Sequence, residues 1–314
     1  MKHIFYIDPL EKLNLKKDST LLLALTLQDR GHECYVLFEK HLAWANRPAP
    51  LRMYRFTGAH TGAYLTSFQL AGETLVLPAA GDTLHMRLDP PFDGRYLRYL
   101  WILDQWEKLG VRVVNRPRGI MQFNEKLLAY QQAGAVASWV GEDEKGFEAF
   151  RQQLVAQGVG DVVLKPLDLY SGIGVEKWAI GDAGLGERFA VKARELAGPI
   201  VAQAFMPEVF KGEIRALYFA GSHIGSILKK PKAGEFISNI AQGAAFEAIE
   251  LSPAIQAKCE AICAELLAEG VPWVAFDILG DTPTEVNITC PGLLVEVSHA
   301  HGVNLAGVIA EKLG

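Results

Sequence analysis

The sequence predicts a mixed α/β protein, and three stretches carry that prediction. The first 38 residues read as strand, loop, helix and strand, the opening of a doubly wound unit. Near the other end, two apolar runs flank Gly280-Asp281-Thr282-Pro283, a turn-forming cluster, and predict a β-hairpin over 273–279 and 284–289. Between these, Asp161–Pro166 is a short apolar strand that ends in Lys165-Pro166 and runs into a segment containing Gly172 and Gly174.

Residues 3–7 form the first buried strand, and Asp18-Ser19-Thr20 caps a helix over Leu21–Arg30 that Gly31 ends. Glu33–Phe38 is the second strand. Ligands of such a unit collect beyond the carboxyl ends of its strands, where Asp8, Lys17 and Asp18 lie. A solvated loop accounts for the same charges. Residues 50–88 alternate in polarity between glycines and predict a meander of strands. The prolines of Asp89-Pro90-Pro91-Phe92-Asp93 then forbid helix and make a stiff loop. Arg87, just before it, either meets a substrate carboxylate or pairs with Asp89 or Asp93. A helical leucine period marks Arg95–Gly110, Val111–Val114 is a strand, and the first domain boundary falls near residue 122. Asn124 caps the next helix.

Composition narrows the function classes. The chain has 314 residues, half of them hydrophobic and 21% charged, with a formal charge of −5 and no basic run, which excludes a typical nucleic-acid or anionic-membrane partner. No apolar segment approaches the roughly 20 residues that span a bilayer. Cys34, Cys259, Cys263 and Cys290 include no Cys-x-x-Cys pair, and a reducing cytoplasm is expected.

Chemistry concentrates in the second half. After Lys165-Pro166 come Ser171, Gly172 and Gly174, small residues that let backbone N–H groups approach an anion. The lysine precedes the glycines, so this is not a Walker loop. Met206-Pro207 breaks the strand Pro199–Phe205 and offers a hinge, while Glu213 and Arg215 share one face of the strand Glu213–Phe219. Lys229 to Glu235 read as a cationic loop, either a solvated surface or a lid. A helix covers 252–268. In the hairpin, a loop centred on Asp281 sets Asp277 opposite Glu285, and Asn287 shares their face. Two carboxylates and an amide suit Mg²⁺ or Mn²⁺ rather than zinc, although polar residues facing water explain the same alternation. A last helix spans roughly Val303–Leu313, with His299 and His301 before it in packing or capping roles.

The order of these pieces resembles the ATP-grasp ligases, and within them the prokaryotic glutathione synthetase family, over nearly the whole chain. The matching motifs are I-D-P-L-E-K-L-N-L-K-K-D-S-T (7–20), R-L-D-P-P-F-D (87–93), N-E-K-L (124–127), L-K-P-L-D (164–168) and D-I-L-G-D…T-E-V-N-I-T-C-P (277–291). The resemblance implies an ATP-grasp fold with an N-terminal doubly wound domain (1–122), a small lid subdomain (123–204) and a C-terminal antiparallel-sheet subdomain (205–314). It implies ATP and Mg²⁺ (or Mn²⁺) and an amide bond formed through an acyl phosphate, in the family γ-glutamylcysteine with glycine. Lys126 and Lys165 would meet the α- and β-phosphates, with Ser171, Gly172 and Gly174 in the loop. The backbone of Gln203, Ala204, Phe205 and Met206 would pair with adenine, and Glu213 with the ribose. Asp277, Glu285 and Asn287 would hold metal, and Arg215 and Lys229 would stabilise the transferred phosphoryl. Asp8, Lys17, Asp18, Arg87 and Asn239 fall at the substrate. The family's homo-oligomers imply a dimer or tetramer. Three stretches depart from the family: the glycine loop, which reads Asp168-Leu169-Tyr170-Ser171-Gly172; Phe236-Ile237 in place of a lid arginine; and the apolar Leu293-Leu294-Val295. The last favours a sister ligase with another acceptor as the alternative, ahead of an ATP-binding regulatory protein.

Overall fold

A computed structural model describes residues 1–61, 65–232 and 245–314. Its elements run in chain order as β1 (Lys2–Ile7), α1 (Ser19–Asp29), β2 (Glu33–Phe38), β3 (Leu51–Thr61), β4 (Leu65–Val76), β5 (Thr83–Arg87), α2 (Gly94–Lys108), β6 (Arg112–Val114), α3 (Pro117–Gln122) and α4 (Glu125–Tyr130). There follow β7 (Ser138–Gly141), α5 (Glu144–Ala156), β8 (Asp161–Lys165), β9 (Glu176–Ala179), α6 (Leu185–Glu195) and β10 (Ile200–Ala204). The remainder is β11 (Glu213–Phe219), β12 (Ser222–Lys230), β13 (Ala245–Ala248), α7 (Pro253–Ala268), β14 (Trp273–Leu279), β15 (Thr282–Asn287), α8 (Leu294–His301) and α9 (Ala306–Leu313).

Three sheets result, ordered β4-β3-β2-β1-β5-β6, β7-β10-β8-β9 and β13-β12-β11-β14-β15. In the first, β2, β1, β5 and β6 are parallel and β3–β4 adds an antiparallel hairpin at one edge. The other two sheets are antiparallel throughout their described pairs.

Helix α1 joins the first sheet to the third. The Asp18 carboxylate accepts from Leu21 N at 2.8 Å and starts the helix, and every residue from Ser19 to Leu27 is buried. A helix apolar on all sides must be enclosed. One face lies against Phe5, Ile7 and Val36, and the same core continues into Leu294 and Val297 of α8, Leu305 just before α9, and Ile309 of α9. Strand β14 splits its residues by the period of two: Val274, Phe276 and Ile278 pack with Ile255, Cys259 and Ile262 of α7, whereas Trp273 and Ala275 join the α1–α8 core. In the middle unit, α5 and α6 cover one sheet face through stacked Phe147 and Phe189, 4.2 Å apart.

Several boundaries differ from the sequence expectation. β15 begins at Thr282, so the hairpin closes through Gly280-Asp281, with Gly280 at φ 61° where a side chain is strained. Lys229 and Lys230 are strand residues of β12 rather than loop. The expected last helix is α9, which starts at Ala306, and it is preceded by a further helix, α8, that starts within the apolar run Leu293-Leu294-Val295. No helix among the described residues is long and apolar enough to cross a membrane.

The N-terminal unit is tied to the hairpin by Asn115. Its Nδ2 donates to the carbonyls of Trp273 and Ile288, both at 2.7 Å, and its Oδ1 accepts from Trp273 N at 2.9 Å. All of these groups are buried. Asn115→Ala should therefore cost roughly 2–4 kcal/mol of stability in urea unfolding, because several main-chain groups lose their partners at once.

Candidate active site

A cavity of about 380 Å³ opens between the second and third sheets, with Lys126, Lys165, Glu213, Arg215, Lys229, Asp277, Glu285 and Asn287 in its wall. Strand register assembles its floor. Lys229 on β12 is paired with Glu213 on β11, Arg215 on β11 with Asp277 on β14, and Asp277 with Glu285 on β15. Lys229 Nζ lies 2.6 Å from Glu213 Oε2 and 2.8 Å from Asp277 Oδ1, and Arg215 Nη2 lies 3.1 Å from Asp277 Oδ2. Asn287 Nδ2 donates to Asp277 Oδ2 at 3.1 Å and to Ala275 O at 3.2 Å. A shift in register between Asp277 and Ile278 marks a bulge directly beside the carboxylate.

The charges answer to this packing. Burial alone would push the Asp277 carboxyl up, but Arg215 and Lys229 overcome it and hold it below the usual carboxylate range. Glu213 is raised by burial, with Lys229 pulling against it and Asp277 adding to the rise. Lys229 is raised despite burial, because Asp277 and Glu213 face it.

The opposite wall carries two more lysines. Asn124 caps α4 by accepting from Lys126 N and Leu127 N at 3.0 and 3.1 Å, which turns Lys126 into the cleft. There its Nζ donates to Leu169 O at 2.7 Å and lies 3.0 Å from Glu285 Oε1. Lys165 ends β8 and donates to Gln203 Oε1 at 2.9 Å, and Gln203 in turn donates to Ser138 Oγ at 2.7 Å. Burial brings the Lys165 ammonium down from 10.5 to about 8; Glu285 opposes this and Lys126 adds to it. After Lys165 the chain takes left-handed conformations at Ser171, Gly172 and Gly174. Such a run folds backbone amides into a concave turn, and only glycine adopts it freely. At the end of β10, Ala204 N and Phe205 N donate to Ala137 O and Asp161 O at 2.9 and 3.0 Å, so those two amides are committed.

Ser171, Gly172 and Gln203 to Met206 also line the cavity, and Gly174 stands just behind Ile173 and Val175 against Pro166. The residues expected at the substrate are placed differently. Arg87 is buried: its Nε donates to Thr20 Oγ1 at 3.0 Å, its Nη2 to Pro291 O at 2.8 Å, and its guanidinium stacks 4.0 Å from the Trp273 ring. It pairs with neither Asp89 nor Asp93 and does not line the cavity. Asp8 accepts from Asp89 N at 2.9 Å and from Lys12 Nζ at 3.3 Å, Asp18 is spent on its helix cap, and Lys17 is exposed. None of the three lines the cavity. Asn239 and Phe236-Ile237 lie outside the described residues. Of the apolar run, Leu294 and Val295 are core residues of α8, and Leu293, with Gly292 before it, faces the cavity. His301 packs as expected, with Nε2 2.8 Å from Ser226 O. Glu125, Thr289 and Cys290 were missed by sequence reasoning. Glu125 stood in the motif N-E-K-L, but its position after a cap marked it only as a helix start.

The donor chemistry fits a hard divalent cation. Asp277 and Glu285 are carboxylates on facing strands of one hairpin, Asn287 adds an amide oxygen, and all three border one cavity. Their positive partners here, Lys229, Arg215 and Lys126, show that the pocket concentrates anionic oxygen that needs cations.

Family models match nearly the whole chain. Residues 1–121 match the family model described as prokaryotic glutathione synthetase, N-terminal domain, and residues 125–302 match prokaryotic glutathione synthetase, ATP-grasp domain. The chain is similar to glutathione synthetase of Parasynechococcus marenigrum, 31% identical over 320 residues that cover 100% of this chain and 99% of that one. It is also 31% identical, over 325 residues, to glutathione synthetase of Nitrosomonas europaea, covering 100% and 97%. Among solved structures, D-cycloserine synthetase DcsG matches with a TM-score of 0.69 at 15% identity, covering 99% of this chain and 100% of that one. That likeness shows the fold: an ATP-grasp architecture, as the motif order implied.

Lys165 gives the cavity a charge that depends on pH. In the free protein its charge is present below about pH 8 and is lost as pH rises through that value. The unfolded lysine keeps its proton to about 10.5, so over the interval between the two values this group also makes folding more favourable as pH rises. Calorimetric titration with ADP should show affinity falling above about pH 8 by up to roughly tenfold per pH unit. Lys165→Arg, charged throughout, should flatten that profile.

Proposed function

The chain belongs to the prokaryotic glutathione synthetase family, and we propose that it joins γ-glutamylcysteine to glycine at the expense of ATP, releasing ADP and phosphate. It is an ATP-grasp ligase that forms a C–N bond. The observation that carries the reading is the convergence of Lys126, Lys165, Arg215 and Lys229 with Asp277, Glu285 and Asn287 around one cavity.

In this reading Lys126 and Lys165 meet the α- and β-phosphates, and the turn at Ser171, Gly172 and Gly174 closes over them with its amides. The base lies at Gln203–Met206, where Ala204 N and Phe205 N are already committed, which leaves carbonyls and the Met206 end of the segment to its edge. Glu213 accepts from the ribose. Asp277, Glu285 and Asn287 would hold Mg²⁺ (or Mn²⁺), which supplies charge neutralisation at the phosphates. The dipeptide carboxylate attacks the γ-phosphorus, the bond to ADP breaks, and an acyl phosphate results. The amine then attacks the acyl carbon and phosphate leaves with the bonding pair, while the amine gives up a proton. Arg215 and Lys229 stabilise the charge on the transferred group. This chemistry needs orientation and exclusion of water rather than a protein nucleophile.

The test is direct. With ATP, Mg²⁺, γ-glutamylcysteine and glycine, phosphate release should accompany glutathione, identified by mass. A product made only from another donor or acceptor would move the assignment to a sister ligase. Glu285→Ala should keep the wild-type circular dichroism and lose at least about a hundredfold in turnover. Near-normal activity in that variant would sink the metal assignment.

A further inference from the structure

Among the described residues, strand β15 is the edge of its sheet, with no neighbouring strand on one side. Helix α4 packs against β15, and its Glu125 side chain reaches the residues that follow the strand. Glu125 Oε1 accepts from Ile288 N at 2.7 Å, from Thr289 N at 2.9 Å and from Thr289 Oγ1 at 2.9 Å. The carbonyl of Ile288 is taken by Asn115 Nδ2 at 2.7 Å. Both main-chain groups of Ile288, the residue after Asn287, are thus held by side chains of other elements. The segment they fix separates Glu285 and Asn287 from Cys290, Gly292 and Leu293, all of which border the cavity.

We propose that Glu125 is a positioning residue of the active site: its Oε1 clamps the end of β15 and so sets the placement of Asn287 and of the cleft-lining turn at 289–293. The inference rests on the function proposed above, which makes Asn287 a metal ligand. Three donors converge on a single oxygen, which a glutamine amide also offers at the same place. A clamp therefore survives Glu125→Gln and is lost in Glu125→Ala, whereas a role for the negative charge is lost in both.

Two readouts separate these outcomes without turnover. In the free protein, hydrogen exchange across 282–293 should speed up by about tenfold or more in Glu125→Ala and stay protected in Glu125→Gln. In the complex with a non-hydrolysable ATP analogue, Mn²⁺ affinity read by electron paramagnetic resonance should fall about tenfold in the alanine variant and recover most of that loss in the glutamine variant. In turnover, kcat should fall with the alanine substitution and KM for the metal–nucleotide complex should rise by about the same tenfold, because metal and nucleotide binding are linked, and both should recover in the glutamine variant. Wild-type exchange and Mn²⁺ affinity in Glu125→Ala would overturn the proposal, as would a glutamine variant as impaired as the alanine one. If Glu125→Ala does not fold, Thr289→Val decides: it removes one of the three bonds and should give a partial loss of protection, and no loss counts against the clamp. Should the unaltered protein show no ligation with any donor or acceptor, the functional reading fails, while the exchange measurement still settles the clamp.

Discussion

The buried carboxylate of Asp277 is the constraint on which the active site depends. A lone carboxylate in the middle of a sheet is costly unless paired and hydrogen-bonded. Here it receives Lys229 from two strands away, Arg215 from the adjacent strand and Asn287 from the hairpin partner. Those contacts are possible only in the observed register, because a slip by one residue turns each side chain to the opposite face. That face is the α7 side, occupied by Val274, Phe276 and Ile278. The apolar core and the charged row therefore enforce the same alignment.

The N-terminal unit then builds the far wall of the cleft. The stretch after β15 is held by side chains from earlier in the chain: Asn115 at Ile288, Glu125 at Ile288 and Thr289, Arg87 at Pro291 O, and Ser19 at Leu294 N, 3.0 Å away. Leu293, in a left-handed conformation at φ 71°, turns this stretch into α8, which packs on α1. Arg87 acts on the cavity through this scaffold. Its guanidinium offers two donors in a fork and a planar face for Trp273, which explains why an arginine is needed at a buried site without a carboxylate partner.

What the sequence made legible follows from the range of the interactions. The pairing of Asp277 with Glu285 was readable because a hairpin is local: turn residues and alternation determine which residues face each other. Lys165 was readable from its position before a proline and a glycine-bearing turn, whereas Lys126 was singled out only by the family resemblance. The partners of Arg87 (Thr20, Pro291 and Trp273) were not readable because they are distant in sequence, and nothing in an alternating strand announces them. Lys229 looked like the start of a loop for a similar reason. A charge run reads as solvated until the partner carboxylates on β11 and β14 are known. The Leu293-Leu294-Val295 run shows the opposite error. Its apolar character was read as specificity, when two of the three residues are apolar because a helix buries them.

The pairing of charges in the cleft carries a further consequence for the proposed reaction. Three of the four cations suited to a phosphate are held by carboxylates, Lys126 by Glu285, Lys229 by Glu213 and Asp277, and Arg215 by Asp277, whereas Lys165 is held by the Gln203 amide oxygen. A polyphosphate entering alone would draw the lysines away and leave the buried carboxylates unpaired. A divalent cation entering alone would repel them and leave the buried ammonium groups unpaired. Either change costs more than the exposed equivalents would, because buried charges are poorly compensated by solvent. Nucleotide and metal arriving together exchange every internal pair for an external one, so that lysine meets phosphate, carboxylate meets metal and no charge is stranded. In the proposed function, the internal ion pairs are placeholders for the nucleotide–metal complex, and they keep the strands in register before it binds.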